Sequence, residues 1–74
     1  ITYTVPEMSY IAILVYNLAG QEINELISEI KAPGQYSISW DGTDNLGNPV
    51  ASGVYFYQFH GNGFSDMQKM ILMK

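Results

Sequence analysis

Apolar and polar side chains alternate along most of this chain with a period of two residues, which is typical of half-buried β-strands. Ile1–Val5 is the first such run, and it ends at Pro6. Tyr10–Asn17 is the second run and is apolar on both faces, as expected of a central strand with cover on each side. One face carries Ile11, Ile13 and Val15, and the other carries Ala12, Leu14 and Tyr16.

The next segment, Gln21–Ile30, fits two secondary structures. Its apolar residues recur at i, i+3, i+4 and i+7, which is the spacing of an amphipathic helix: Ile23, Leu26, Ile27 and Ile30. A tight turn through Gly20 after a strong strand instead favours an antiparallel partner for Tyr10–Asn17. We predict a strand over Glu22–Leu26, paired with the preceding strand through Gly20, and an irregular or bulged continuation over Glu25–Lys31.

The stretch Trp40–Phe59 organises the second half of the chain. Tyr36–Trp40 and Val54–Phe59 alternate as strands, and the loop between them is rich in Asp, Asn, Gly and Pro, which favour turns. We predict a hairpin turn at His60–Gly63 and a last strand over Phe64–Lys74.

These patterns predict one domain over residues 1–74: an all-β, small antiparallel sandwich of about six to seven strands. So small a domain has a modest stability of roughly 3–5 kcal/mol. The predicted core is Ile11, Ile13, Val15, Tyr36, Ile38, Trp40, Tyr55, Tyr57, Met70 and Leu72.

Composition narrows the classes of partner. The 74 residues carry a net charge of −4, with three basic residues and no cysteine. Nucleic acids and anionic membranes bind clustered Lys and Arg, so both are disfavoured as partners. No apolar run approaches the roughly 20 residues of a membrane-spanning helix, so we predict no membrane insertion.

The loop after Trp40 places oxygen-bearing side chains at short spacing. Calcium prefers such oxygens, so the loop supplies weak candidate ligands: Asp41, Asp44, Asn45 and Asn48. The pattern departs from the EF-hand, because no glutamate closes the loop and no helix flanks it. We predict turns held by Asp and Asn side chains, and no tightly bound metal.

No catalytic constellation is visible in the sequence. His60 is the only histidine, and no serine lies in a G-x-S-x-G elbow. We predict neither enzymatic activity nor a cofactor. Aromatic residues make up 14% of the chain, which usually builds a core, although an exposed aromatic row would suit carbohydrate stacking.

The middle and the end of the chain carry a recognisable motif. The middle reads Gly34-x-Tyr36-x-Ile38-x-Trp40-Asp41-Gly42-x-Asp44-x-x-Gly47-Asn48-x-Val50-x-x-Gly53-Val54-Tyr55. It closely resembles the Ig-like domain of the bacterial flagellar hook-capping protein. The end, Gly63-Phe64-Ser65 followed by Lys69–Lys74, is similar to the C-terminal sorting domains read by type IX secretion.

The resemblance implies a non-catalytic Ig-like sandwich at the C-terminal part of a longer bacterial protein. That protein would be secreted or held at the cell surface, via the periplasm. Sorting domains contact secretion and attachment machinery of the outer membrane, which would recognise the final hairpin, Gly53–Lys74. The implied partner-binding residues are Gly53, Tyr55, Gly63, Lys69, Met70 and Lys74.

Two other functions stay open at this point. One is a structural Ig-like module that packs on a neighbouring domain or assembles with copies of itself. The other is a carbohydrate-binding accessory domain of a secreted hydrolase.

Overall fold

Antiparallel strands account for the regular structure of the chain. The computed structural model describes residues 1–61 and 63–73, and of Phe64 the backbone alone. Its strands are β1 (Thr2–Val5), β2 (Ser9–Tyr16), β3 (Glu22–Lys31), β4 (Gly34–Ser37), β5 (Gly53–Gly61) and β6 (Phe64–Leu72). No helix forms within the described residues, and none there could cross a membrane. The predicted all-β antiparallel fold, compatible with a small Ig-like sandwich, is confirmed.

The two sheets of the sandwich differ in size. The large sheet has the strand order β3-β2-β5-β6, and the small sheet consists of β1 and β4. β2 is central, as its two apolar faces predict. Its inward residues Ile11, Ile13 and Val15 are buried, whereas Leu14 and Tyr16 on the other face are half-buried.

β3 is a strand, so the strand prediction for this segment is confirmed. The expected irregular continuation is wrong in its extent, because Ile27–Lys31 pair with β2 in regular register. The pairing of β3 with β2 shifts register between Ile13 and Leu14 and again between Val15 and Tyr16. Each shift adds one residue to β3, as a β-bulge does. Bulges turn a period of two into a mixed spacing, which explains why the apolar residues of β3 imitate a helix.

The core lies between β1 and β2 and extends to β5. Tyr3 and Val5 of β1 are buried and belong to it, although neither is in the predicted core. Four predicted core residues are buried: Ile11, Ile13, Val15 and Tyr55. The other six are only half-buried: Tyr36, Ile38, Trp40, Tyr57, Met70 and Leu72. The two-stranded small sheet is too narrow to cover the four-stranded sheet fully, which accounts for this difference.

The strand predicted over Tyr36–Trp40 is too long, because β4 ends at Ser37. The two-residue alternation nevertheless continues, with Ile38 and Trp40 half-buried and Ser37 and Ser39 exposed. Ile38 and Ile1 also exchange backbone hydrogen bonds of 2.8 and 2.9 Å. The alternation therefore predicts correctly which side chains are half-buried, but the hydrogen-bonded strand is shorter than the alternation suggests.

The final hairpin also differs from its prediction. His60 is not a turn residue, because it lies in β5 opposite Ser65, and β5 continues to Gly61. His60 and Gly61 are in the strand and not in the turn because β5 and β6 keep a continuous antiparallel register as far as Gly61 and Phe64. β6 ends at Leu72, and two residues of the predicted turn and strand, Asn62 and Lys74, lie outside the described residues.

Candidate partner-binding surface

The loop 41–50 covers the outer edge of β3. The backbone N–H of Asn45 donates to the carbonyl of Ile23 at 3.1 Å, and the backbone N–H of Glu25 donates to Asn45 Oδ1 at 2.9 Å. Asn45 Nδ2 also donates to Glu22 Oε2 at 3.4 Å. Asn45 therefore supplies a donor and an acceptor along this edge, as a neighbouring strand would.

The backbone carbonyl of Thr43 accepts two hydrogen bonds that hold this loop in place. It accepts the indole N–H of Trp40 at 2.8 Å and the side-chain amide of Asn24 at 2.7 Å. Trp40 in turn packs edge-on against Tyr55, with ring centroids 5.0 Å apart. The Tyr55 hydroxyl donates to the carbonyl of Ala51 at 2.6 Å. The loop is thus held to β3 on one side and to β5 on the other.

The candidate calcium ligands are part of the hydrogen bonding of this loop. Asp41 Oδ1 accepts the N–H and the hydroxyl of Thr43 at 3.2 and 2.6 Å. Asp44 Oδ1 accepts the N–H groups of Leu46 and Asn48 at 3.0 and 2.9 Å. The predicted turns held by Asp side chains are therefore present. Among the described residues, no group of three His, Cys, Asp or Glu is placed to hold a metal.

β6 forms the opposite edge of the large sheet. It pairs with β5 on one side only. Within the described part of the chain, no strand and no loop backbone bonds to its other side. An uncovered edge offers unpaired N–H and C=O groups to an added strand. The two edges of the large sheet therefore differ among the described residues: β3 is covered at Ile23 and Glu25, and β6 has no such cover.

Three of the predicted partner-binding residues hold the final hairpin to the body of the domain. Gly53 lies opposite Leu72, and Tyr55 lies opposite Met70. Tyr55 is 8% exposed and Met70 is half-buried. Their side chains support the hairpin from the inside and present little surface to a partner.

The remaining predicted residues lie at the surface or outside the described chain. Lys69 is exposed on β6, opposite Phe56, and it forms no ion pair among the described residues. Gly63 is exposed in the turn with a φ of 78°, a left-handed conformation that strains other residues. Lys74 lies outside the described residues.

Lys31, at the end of β3, differs from Lys69 in its surroundings. Its ammonium lies 2.7 Å from Glu29 Oε1 and 4.9 Å from the centre of the Tyr36 ring. The hydrogen bond to Glu29 raises the pKa of Lys31. Lys69 is therefore the described lysine that is available to an external acidic group.

Most aromatic rings near the core pack on one another. Tyr3 stacks on Tyr36 at 5.5 Å and lies 5.3 Å from Phe59. Tyr10 is the one exposed aromatic ring among the described side chains. The described rings do not form the exposed row that a carbohydrate-stacking face requires.

Sequence reasoning did not find the contact between the loop and β3. Asn24 and Asn45 form it across 19 and 20 residues of chain, with Thr43 and Glu25 respectively. The sequence carries no local signal for this contact, because Asn24 lies between Ile23 and Glu25 in a mixed polar and apolar segment.

Comparison with known proteins gives one result. A family model described as the FlgD Ig-like domain matches residues 2–62, which include β1 to β5. No curated protein matches the chain, and no solved structure does.

Proposed function

This chain belongs to the FlgD Ig-like domain family, and we propose that it is a non-catalytic sorting domain of an exported bacterial protein, read by type IX secretion. In this proposal the domain forms the C-terminal part of a longer polypeptide that crosses the periplasm. The destination is the medium or the cell surface. The partner is the secretion machinery of the outer membrane, which binds the folded domain through its final hairpin.

The observation that carries this proposal is the difference between the two edges of the large sheet. Asn45 bonds to the β3 edge at Ile23 and Glu25, so a partner strand is kept away from that part of it. β6 has no such cover among the described residues. A partner that recognises the domain by strand addition therefore has the whole length of β6 available, but only the part of the β3 edge beyond Glu25.

The positive charge of Lys69 also favours β6 as the partner-binding edge. The chain has a net charge of −4, so a lysine on its surface is a local exception. Lys69 projects from β6 without an acidic partner among the described residues, whereas Lys31 is paired with Glu29. An acidic receptor surface beside the added strand would attract Lys69 and help to fix the register of the contact.

The experiment is a fusion of residues 1–74 to the C-terminus of a periplasmic reporter, in a bacterium that has type IX secretion. We expect the intact fusion to reach the outside of the cell. Deletion of Met67–Lys74 removes most of the edge and should leave the reporter in the periplasm. Export that persists after this deletion would refute the sorting function.

A second comparison separates recognition from folding. Lys69→Gln and Lys31→Gln each remove one positive charge, the first from the open edge and the second from the other side of the sheet. We expect Lys69→Gln to reduce export and Lys31→Gln to leave it unchanged, after equal melting temperatures have been verified. Equal export by both variants would show that Lys69 takes no part.

A further inference from the structure

The outer face of the large sheet, defined as the face turned away from β1 and β4, is largely apolar. Its apolar side chains include Leu14, Tyr16, Val54, Phe56, Met67 and Ile71. Met67 and Ile71 are 51% and 66% exposed. A groove of about 350 Å³ lies on this face, between Tyr16, Leu18, Phe56 and Met67. A contiguous apolar surface of this kind marks an interaction site.

The charges on the outer face follow the strand register. Tyr16 of β2 lies opposite Glu22 of β3 and opposite Phe56 of β5, and Phe56 lies opposite Lys69 of β6. Directly opposed residues of antiparallel strands point to the same face. These four residues form one row across the sheet, in the order Glu22, Tyr16, Phe56 and Lys69. The row therefore has an acidic residue at one end, a basic residue at the other and two aromatic residues between them.

We propose that the outer face binds the outer face of a second copy of this chain, about a two-fold axis that runs parallel to the strands between β2 and β5. This axis places β3 over the partner's β6 and β2 over the partner's β5. Glu22 then meets Lys69 of the second copy, and Tyr16 meets its Phe56. The two-fold axis repeats both contacts on its other side, so the row of one copy is complementary in charge to the same row of the second copy.

The adjacent row fits the same axis. It consists of Glu25, Leu14, Gln58 and Met67, in register across β3, β2, β5 and β6. The axis places Leu14 over Gln58 and Met67 over the hydrocarbon stem of Glu25 in the second copy. Two sheets packed in this way are about 10 Å apart and cross at about −30°, which is the usual aligned packing of β-sheets.

Charge complementarity favours a second copy over an unrelated partner. Glu22 and Lys69 of one chain are separated by three strand spacings, or about 14 Å, so they do not neutralise each other directly. Among the described residues, neither therefore has a nearby opposite charge on this face, and a second copy supplies both. Lys69 takes part both in this inference and in the proposed receptor contact. The inference does not depend on the sorting function, because it can be tested on the isolated chain, where no receptor is present.

The test is sedimentation equilibrium of the 74-residue chain from about 10 µM to about 1 mM. We expect a concentration-dependent dimer. Glu22→Lys and Lys69→Glu each replace two attractions with two repulsions, so each should weaken dimerisation by roughly tenfold or more. The double variant Glu22→Lys/Lys69→Glu restores opposite charges across the axis and should dimerise as the unaltered chain does.

A mixture of the two single variants is the most specific arm. One variant presents two lysines and the other presents two glutamates, so the mixed dimer has two attractive pairs while each homodimer has none. We expect the mixture to form a heterodimer where each variant alone is monomeric. Such rescue cannot come from a contact within one chain.

Exposed apolar residues provide a matched control. Ile71 lies on the outer face and Met8 lies outside it, with 66% and 65% exposure. Ile71→Ser should weaken the dimer, and Met8→Ser should not. A chain that stays monomeric throughout the concentration range would overturn the proposal. So would a dimer that is insensitive to both charge reversals, or single variants that fail to combine.

Discussion

The side-chain carbonyl of Asn45 accepts the backbone N–H of Glu25 at 2.9 Å, on the edge of β3 where a further strand would otherwise pair. The backbone N–H of Asn45 donates to Ile23 two residues away. A single loop residue thus satisfies one donor and one acceptor of an edge strand. This contact makes the two ends of the large sheet chemically different.

The first prediction concerns this contact. Asn45→Ala removes the acceptor of the Glu25 N–H and should lower the free energy of unfolding by about 1–2 kcal/mol. Amide exchange at Glu25 should accelerate as well. Leu46→Ala is the control, because Leu46 is the next residue of the same loop and is 85% exposed. Urea unfolding that does not distinguish the two variants would show that the loop does not secure this edge.

The second prediction concerns Trp40 and Tyr55. Trp40→Ala removes a half-buried ring and its hydrogen bond to Thr43, and should cost about 3 kcal/mol, which is close to the whole stability of so small a domain. Trp40→Leu and Tyr55→Leu each remove one ring and permit a double-mutant cycle. We expect a coupling energy of about 0.5–1.5 kcal/mol for rings in edge-on contact. A coupling energy of zero would mean that this ring contact adds nothing to stability.

The strands were predictable because burial of one face of a strand requires an apolar residue at every second position, and this pattern is visible in the local sequence. The two apolar faces of β2 indicated its central position, and the alternation beyond Gly34 indicated which side chains turn inward. The bulges of β3 were harder to locate, because each adds a residue and shifts the period at Leu26 and Ile23. Their positions depend on the pairing with β2, which is tertiary information.

The cover of the β3 edge could not be derived from local patterns. Asn45 belongs to a loop whose composition predicts turns, and Asp44 does hold such a turn through Leu46 and Asn48. That Asn45 faces β3 depends on how Trp40 anchors the loop from the other side. The order of the strands within the large sheet is also required, because it makes β3 and β6 the two edge strands.

The third prediction concerns metal. Asp41 and Asp44 accept backbone N–H groups within the loop, so the turns are stable without a cation. Addition of a calcium chelator should leave the melting temperature unchanged. A drop in melting temperature that excess calcium reverses would instead identify this loop as a calcium site.

The fourth prediction concerns pH. Burial raises the pKa of Tyr3 above its ordinary value of 10.0, and the hydrogen bond to Glu29 raises the pKa of Lys31 above 10.5. For both groups the folded state binds the proton more tightly than the unfolded state. Their contribution to stability is therefore complete below the ordinary pKa and is lost as the pH rises through the folded pKa.

Tyr3→Phe removes one of these two titrating groups. We expect the stability lost between neutral pH and about pH 11 to be smaller in this variant than in the unaltered chain. Denaturant unfolding at both pH values measures the difference. An equal loss in the two proteins would assign the alkaline effect to groups other than Tyr3.

The central claim is that the open edge at β6 is where the secretion machinery binds. Site-specific photo-crosslinking in a bacterium with type IX secretion tests it most directly, with the photoreactive residue at Gln68 on β6 or at Leu46 on the covered side. Gln68 and Leu46 are both exposed, and both lie off the face that we assign to a second copy. We predict crosslinks from position 68 to an outer-membrane component of the secretion apparatus, and none from position 46. Crosslinks to that apparatus from position 46 alone, or from neither position while export proceeds, would contradict the claim.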